Sequence, residues 1–510
     1  MRPVSAAQAG AMLMAAARDS AVDSGASDGL VVVGGGLAGL TAAVRATELG
    51  IKVVVLEAGT EIKYPTNSRY TGGVFHVAFL DVHTDPAKLT TAVERATAGH
   101  ADPGLTAVLT QRISTAVRWL GNHGATIGTG GDLKFMKNML HPYSLQVPGF
   151  SKHWPDKGAD RLLAELERQL IAAGGRFLRG ARATSLLMQD KRCHGAVVRR
   201  ADGRIETYLA SAVLLADGGF QGNREMIRRY ISPRPEALCQ RGAATGMGDG
   251  IRMAQAVGAQ VADMDRFYGH VQCSEALTDD QLWPYPILDI VASAAVVVDS
   301  TGNRFTDEGL GGVSIANAIA RQNDPLKTFV ILDNVLWESI GKQFLLPPNP
   351  TIEERGATVF RAAGLRSLAH QTGLPAGPLE STIDEYNRAV QCGNPGALDV
   401  PRTGESSTLG HPPATISKQG MVAIPLCAGI TYTMGGVIID NRCRVIDRDG
   451  RAIQGLLAAG STIAGLEGGP ASGYIGGLAK ALVLGLTAAE QVAGADPSGP
   501  LGERSENRGG

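Results

Sequence analysis

Leu30 to Val33 are apolar in unbroken succession, the pattern of a strand covered on both faces. The glycine-rich run Gly34-Gly35-Gly36-Leu37-Ala38-Gly39 follows at once. Leu40 to Leu49 (LTAAVRATEL) then predicts a helix, with Ala42, Ala43 and Ala46 small enough to sit tightly on a sheet, and Gly50 in a helix-ending position. Ile51 to Leu56 (IKVVVL) predicts a second buried strand with Glu57 at its end. Further on, Gly195-Ala196-Val197-Val198 and the polar turn Asp202-Gly203 predict a hairpin before the strand Val213-Leu214-Leu215. A helix is predicted through Met253, Ala254 and Ala256, and others near Ser314–Arg321 and Leu379–Val390, with a Pro-rich turn at Pro347-Pro348-Asn349-Pro350. Near the end, Gly476-Gly477-Leu478-Ala479-Lys480-Ala481 opens a last helix.

Composition narrows the class. A chain of 510 residues, 44% hydrophobic, is long enough for two domains. Its net charge of -1 argues against a nucleic-acid or anionic-membrane footprint. None of the 6 cysteines lies in a C-x-x-C pair, so iron–sulfur, attached haem and zinc sites are unsupported and no metal is expected. Scattered single cysteines suit a reducing cytoplasm. No apolar run reaches the roughly 18–20 residues that span a bilayer. Residues 1–27 read as a flexible extension without a signal peptide, and 495–510 as a disordered tail.

Each part of the first unit has a physical task. Gly34 permits the tight turn, Gly36 lets backbone approach a pyrophosphate resting on the N–H groups at the helix start, and Gly39 lets helix and strand pack closely. Glu57, about 20 residues on, is placed to accept hydrogen bonds from ribose hydroxyls. Its charge disfavours the 2′-phosphate of NADP. The unit therefore binds a dinucleotide, FAD or NAD.

Four further segments resemble the fumarate reductase / succinate dehydrogenase flavoprotein superfamily, which includes soluble fumarate reductases, tricarballylate dehydrogenase and 3-ketosteroid dehydrogenases. They are Asn67-Ser68-Arg69-Tyr70-Thr71-Gly72-Gly73; Ala216-Asp217-Gly218-Gly219-Phe220 with Asn223; Thr245-Gly246-Met247-Gly248-Asp249-Gly250; and Tyr432-Thr433-Met434-Gly435-Gly436-Val437 with the strand ending Ala459-Gly460. The resemblance implies FAD, and an α/β fold: a Rossmann-like FAD-binding domain, 28–290 and 431–494, with an inserted α+β capping (lid) domain, 291–430. It implies FAD contacts from Gly34, Gly36, Leu37, Ala38, Gly39, Glu57 and Ala58. Further contacts come from Asn67, Ser68, Thr71, Gly72, Gly73, Ala216, Gly218, Gly219, Asn223, Asp249, Gly460, Gly477 and Leu478. Membrane-bound relatives attach FAD covalently through a histidine in the first segment. Tyr70 is its counterpart here and His76 is out of register, so FAD is expected to be non-covalent.

The departures bear on the substrate. Fumarate reductases use an arginine as proton donor, and a further arginine and a histidine to grip a dicarboxylate. Those three places hold Trp337, Tyr474 and Tyr432. Tyrosines suit a ketone: a phenol hydrogen-bonds a carbonyl oxygen, and a phenolate takes an acidic α-proton. Tyr432 and Tyr474 are thus candidates for carbonyl clamp and proton-transfer group, in an order left open. Glu308 matches a family glutamate, and is either a site residue or the ion-pair partner of Arg304. Arg402 resembles a lid arginine with a structural role. Tyr143, Trp154, Tyr268 and Tyr285 are further aromatics, each more ordinarily core or surface than site. The resemblance leans to α,β-dehydrogenation of a carbonyl-activated small-molecule substrate. The alternatives are a reductase of activated double bonds and a flavoprotein without turnover. No second nucleotide fingerprint is visible, so electrons are expected to leave to a quinone, an electron-transfer protein or oxygen.

Overall fold

A computed structural model describes residues 29–143, 153–282, 287–341, 351–404 and 411–495. The extension, the tail, the Pro-rich turn and Tyr285 lie outside them. The predicted β-α-β unit is present: the strand Gly29–Val33 pairs in parallel with Lys52–Leu56, joined by the helix Leu37–Glu48. Glycine makes this unit possible at the backbone level. Gly34 has φ +103° and a Cβ there would meet Ala216 O at 2.5 Å, while a Cβ on Gly39 would meet Gly34 O at 2.0 Å. Either contact would push helix and sheet apart.

Five strands form the parallel part of a 9-stranded sheet, in the order Arg176–Leu178, Lys52–Leu56, Gly29–Val33, Ala212–Leu215 and Ala452–Ala458. The last comes from the far end of the chain, so the nucleotide unit is completed only by the C-terminal segment. The strands Arg192–Arg200, Ala181–Gln189 and Ile205–Leu209 continue the sheet as an antiparallel flank. The last helix, Gly477–Ala493, packs on Leu37–Glu48, and Gly485 lets it approach to where a Cβ would be 2.6 Å from Ala38 O.

A second sheet of 6 strands is built around Gln419–Thr433. It draws on Thr328–Asp333, Val296–Val298 and Phe360–Gly364, and also on Leu238–Gln240 and Phe267–Cys273, which precede the boundary expected at 290. The pairing slips between Tyr268 and Gly269, so Tyr268 faces Tyr432 whereas Gly269 faces Ile430, leaving Thr431 bulged. A Cβ on Gly269 would meet Gly429 O at 1.9 Å, so the bulge depends on glycine. The predicted helices of this region appear as Gly312–Ala320 and Ala376–Gln391. Among the described residues no helix is long and apolar enough to cross a membrane.

Candidate functional site

A cavity of about 520 Å³ runs from the glycine turn, across the strand ends of the first sheet, to the bulged end of the second. At its near end Glu57 is held by backbone: Oε2 accepts the Gly35 N–H at 2.8 Å and Oε1 the Gly59 N–H at 2.7 Å. Burial raises its carboxyl above the usual range, and those two N–H groups oppose the shift. Leu37 N–H donates to Ser68 Oγ at 2.9 Å, and no side chain caps the helix at Gly36.

These features fit a dinucleotide. The glycine turn brings bare backbone to the cavity wall and Glu57 waits at the second strand's end. Two side-chain oxygens lining the cavity, Asn67 Oδ1 and Gln221 Oε1, are buried without a hydrogen-bond partner within the chain. Buried polar atoms demand partners, and a flavin with its ribityl chain carries complementary donors. The last helix, 17 residues long, starts uncapped at Gly476 and presents Gly477 and Leu478 to the cavity, so its dipole favours negative charge there.

Most of the expected cofactor residues converge on this cavity: Gly34, Gly36, Leu37, Ala38, Glu57, Ala58, Asn67, Ser68, Thr71, Gly72, Ala216, Gly218, Gly219, Asp249, Gly460, Gly477 and Leu478. Three stand behind the wall. Gly39 serves helix–turn packing, and Gly73 (φ +81°) turns the chain beside Leu140. Asn223 caps the helix Arg224–Tyr230, its Oδ1 accepting the Glu225 and Met226 N–H groups at 3.1 Å.

The far end is aromatic. Tyr268 and Tyr474 stack with ring centroids 3.8 Å apart and planes 16° apart, and Tyr432 lies 5.4 Å from Tyr268. His76, Phe79 and Phe135 complete the wall against Tyr474. His76 is buried and its Nδ1 accepts the Phe79 N–H at 3.1 Å; burial lowers its pKa to about 4, so it stands neutral. Arg241 lines the same end, its stem against Gly429, where a Cβ would fall 2.5 Å from Arg241 Cδ.

Two buried polar networks support the tyrosines, and neither was legible from sequence. Tyr432 Oη donates to Glu467 at 2.9 Å, and Glu467 also accepts from Lys480 Nζ and from the Ile475 N–H. Burial and the Glu467 carboxylate hold the Tyr432 phenol well above its usual pKa. On the other side, His270 Nε2 lies 3.0 Å from Tyr268 Oη, and His270 Nδ1 lies 2.6 Å from Asp289 Oδ2.

Glu308 is a correction to the expected site. It does not line the cavity: it is fully buried, paired with Arg304 at 2.5 Å, and accepts the Val297 N–H at 2.9 Å. Its carboxylate is committed to those partners, away from the cavity wall. Arg402, buried beside it, donates to the Ser293 and His411 carbonyls. Trp337 is a core residue, Trp154 packs near Tyr70 and Arg69, and Tyr143 is exposed.

Comparison with known proteins places this architecture. A probable fumarate reductase of Shewanella frigidimarina is 26% identical over 86% of this chain and 70% of its own length. The 4-oxocyclohexanecarboxylate 2-dehydrogenase of Sinomonas cyclohexanicum is 26% identical over 58% of this chain, and the match spans about half, 53%, of that protein. In fold, the 3-ketosteroid delta1-dehydrogenase of Sterolibacterium denitrificans superposes with TM-score 0.67 at 20% identity, covering 91% of this chain and 99% of that one. The 3-ketosteroid-delta4-(5alpha)-dehydrogenase of Rhodococcus jostii RHA1 gives 0.66 at 21% identity, covering 97% and 100%. With residues 29–473 matched, the chain belongs to the FAD binding domain family and is an FAD-dependent oxidoreductase of the group acting on CH–CH bonds.

Proposed function

We propose that the chain catalyses α,β-dehydrogenation of a carbonyl-activated CH–CH bond in a cyclic ketone, ketosteroid or keto-acid. The observation that carries this reading is the tyrosine cluster, Tyr268 stacked on Tyr474 beside Tyr432, next to the start of the last helix. Phenol donors and helix N–H groups suit a carbonyl oxygen that gains enolate charge. A Cβ on Gly477 would fall 3.0 Å from Tyr432 Oη, so that hydroxyl stands at the helix start. Tyr432 takes the carbonyl side, its single hydroxyl proton turning from Glu467 to the carbonyl oxygen when substrate binds. Tyr474, stacked on Tyr268, forms the face against which a ring lies. FAD, held without a covalent bond along the glycine turn, Glu57 and Asn67–Gly72, supplies the hydride acceptor when bound. The second sheet and its helices serve as the lid, and electrons leave in the cytoplasm to a quinone, an electron-transfer protein or oxygen.

A second reading, reduction of an activated double bond, is favoured by Arg241, a guanidinium at the aromatic end able to hold a carboxylate. Against a dicarboxylate stands the count of cations: among the described residues lining the cavity the other is Arg182, paired with Asp249. Anaerobic mixing of the flavin-loaded protein with 4-androstene-3,17-dione, 4-oxocyclohexanecarboxylate and fumarate separates the readings. Bleaching of the flavin by either ketone supports dehydrogenation. Bleaching by dithionite alone, reversed by fumarate, supports the reductase.

A further inference from the structure

We propose that Tyr268, His270 and Asp289 form a proton relay, in which Tyr268 takes the substrate's α-proton while its own proton passes to His270 Nε2, held in position by Asp289. The inference rests on the dehydrogenase reading and adds to it the base and the residues that position it.

The direction of each hydrogen bond is assigned from Asp289 acting as a carboxylate. Asp289 Oδ1 accepts the Val271 N–H at 2.8 Å, and Oδ2 lies 2.6 Å from His270 Nδ1. A carboxylate only accepts, so Nδ1 carries the proton and Nε2 presents its lone pair. The Tyr268 hydroxyl, 3.0 Å away, therefore donates to His270. Tyr268 and His270 alternate on one strand, Phe267–Cys273, and so share a face; both line the cavity.

Asp289 is fully buried, and the fold makes room for its charge. A Cβ on Gly312 would meet Asp289 Cγ at 2.0 Å; without one, the carboxylate lies against the first turn of the 9-residue helix Gly312–Ala320. That end of a helix favours an anion. The groups facing His270 are Asp289, Arg241 and Tyr268, and those facing Tyr268 include Tyr432 and Tyr474. Burial and Arg241 lower the His270 pKa against the pull of Asp289, so the imidazole is neutral and able to accept.

The step balances without any redox change. The substrate's α-C–H bond breaks, its electron pair forms the enolate C=C with charge on the carbonyl oxygen, and the proton binds Tyr268 Oη. The former Tyr268 proton binds His270 Nε2, giving an imidazolium beside the Asp289 carboxylate. The arrangement resembles the nucleophile–imidazole–carboxylate series of acyl-transfer enzymes, with a phenol in the outer place.

The test is α-hydrogen exchange, which needs no flavin turnover. The flavin-loaded protein in D₂O is given 4-oxocyclohexanecarboxylate or 4-androstene-3,17-dione, and loss of the α-proton NMR signal is followed. Tyr268→Phe and His270→Gln are each expected to slow exchange by about 10²–10⁴-fold. Asp289→Asn is expected to slow it comparably and to displace the pH profile, while FAD content and bleaching by dithionite stay unchanged. Exchange that persists in Tyr268→Phe but is lost in Tyr474→Phe overturns the relay and leaves the dehydrogenase reading standing. No exchange with either ketone in the parent protein, together with turnover of fumarate, overturns both.

Discussion

Tyr432 donates its hydroxyl to Glu467, 2.9 Å from Oε1, and Glu467 is in turn closed by Lys480, a lysine with 1% exposure. The phenol thus stands in front of a buried ion pair. Replacing Glu467 by Gln leaves Lys480 buried without its carboxylate, and breaking such a buried pair costs about 3–5 kcal/mol. We expect a large fall in the urea midpoint of Glu467→Gln, and a much smaller one in Tyr432→Phe, which keeps the pair intact. Equal losses in the two variants would contradict this hierarchy.

The cofactor cradle is tested at Gly34. Alanine there meets both an unfavourable φ of +103° and a carbonyl at 2.5 Å. Gly34→Ala is expected to purify with little flavin absorbance and to regain little on incubation with FAD. Gly50→Ala is the control: its φ is +80°, yet no atom lies within 4 Å of the added methyl. It should lose some stability and keep its colour. A yellow Gly34→Ala protein with normal flavin content removes the turn from the binding site.

How much of this was readable in advance follows from the distance over which each feature is encoded. The β-α-β unit is local: a buried strand, a glycine turn, an alanine-faced helix and an acid lie within residues 29–57, and each leaves its own mark. The relay is not local. His270 and Asp289, 19 residues apart, meet because the chain returns to the strand Phe267–Cys273, Leu288 N–H donating to the Val271 carbonyl and Val271 N–H to Asp289, while Tyr268 faces Tyr432 through a slip that no periodicity announces. Tyr268 therefore read as an ordinary core or surface aromatic. Glu467 and Lys480 are charged side chains, which sequence reasoning places in water unless a partner is known. Gly312, whose missing side chain leaves the space into which Asp289 fits, carries no mark of that role in the sequence.

Acid stability has two opposing contributors in the cavity wall. Burial depresses His76 from 6.5 to about 4, so on acidification the unfolded chain takes the proton first; this contribution is present above 6.5 and lost as pH falls toward 4. Asp217 runs the other way. Burial, with help from Asp249 and against the Gly250 N–H, raises its carboxyl from 3.8 to about 7, so its contribution is present below 3.8 and lost as pH rises toward 7. His76→Leu is expected to flatten the loss of stability between pH 6.5 and 4, and Asp217→Asn to increase stability at pH 7 relative to pH 4. Urea midpoints across this range check both, and a His76→Leu profile parallel to the parent's would show that His76 takes up its proton as readily in the fold as in the unfolded chain.

Replacing Arg241 separates a neutral from an anionic substrate. Its guanidinium lines the aromatic end, and its stem is fixed against Gly429, so it presents a charge at a set place. A hydrogen bond to a charged group contributes about 1.5–3 kcal/mol, roughly 10- to 100-fold in affinity. If the substrate carries a carboxylate, Arg241→Met should raise KM for 4-oxocyclohexanecarboxylate by that factor while leaving kcat within a few-fold. A neutral ketone such as 4-androstene-3,17-dione loses no such contact, and its KM should be unchanged or lower in the variant, because an apolar side chain replaces a desolvated charge. Parallel losses for both ketones would assign Arg241 to the scaffold through its contact with Thr431, 3.3 Å from its Nη1, rather than to substrate choice.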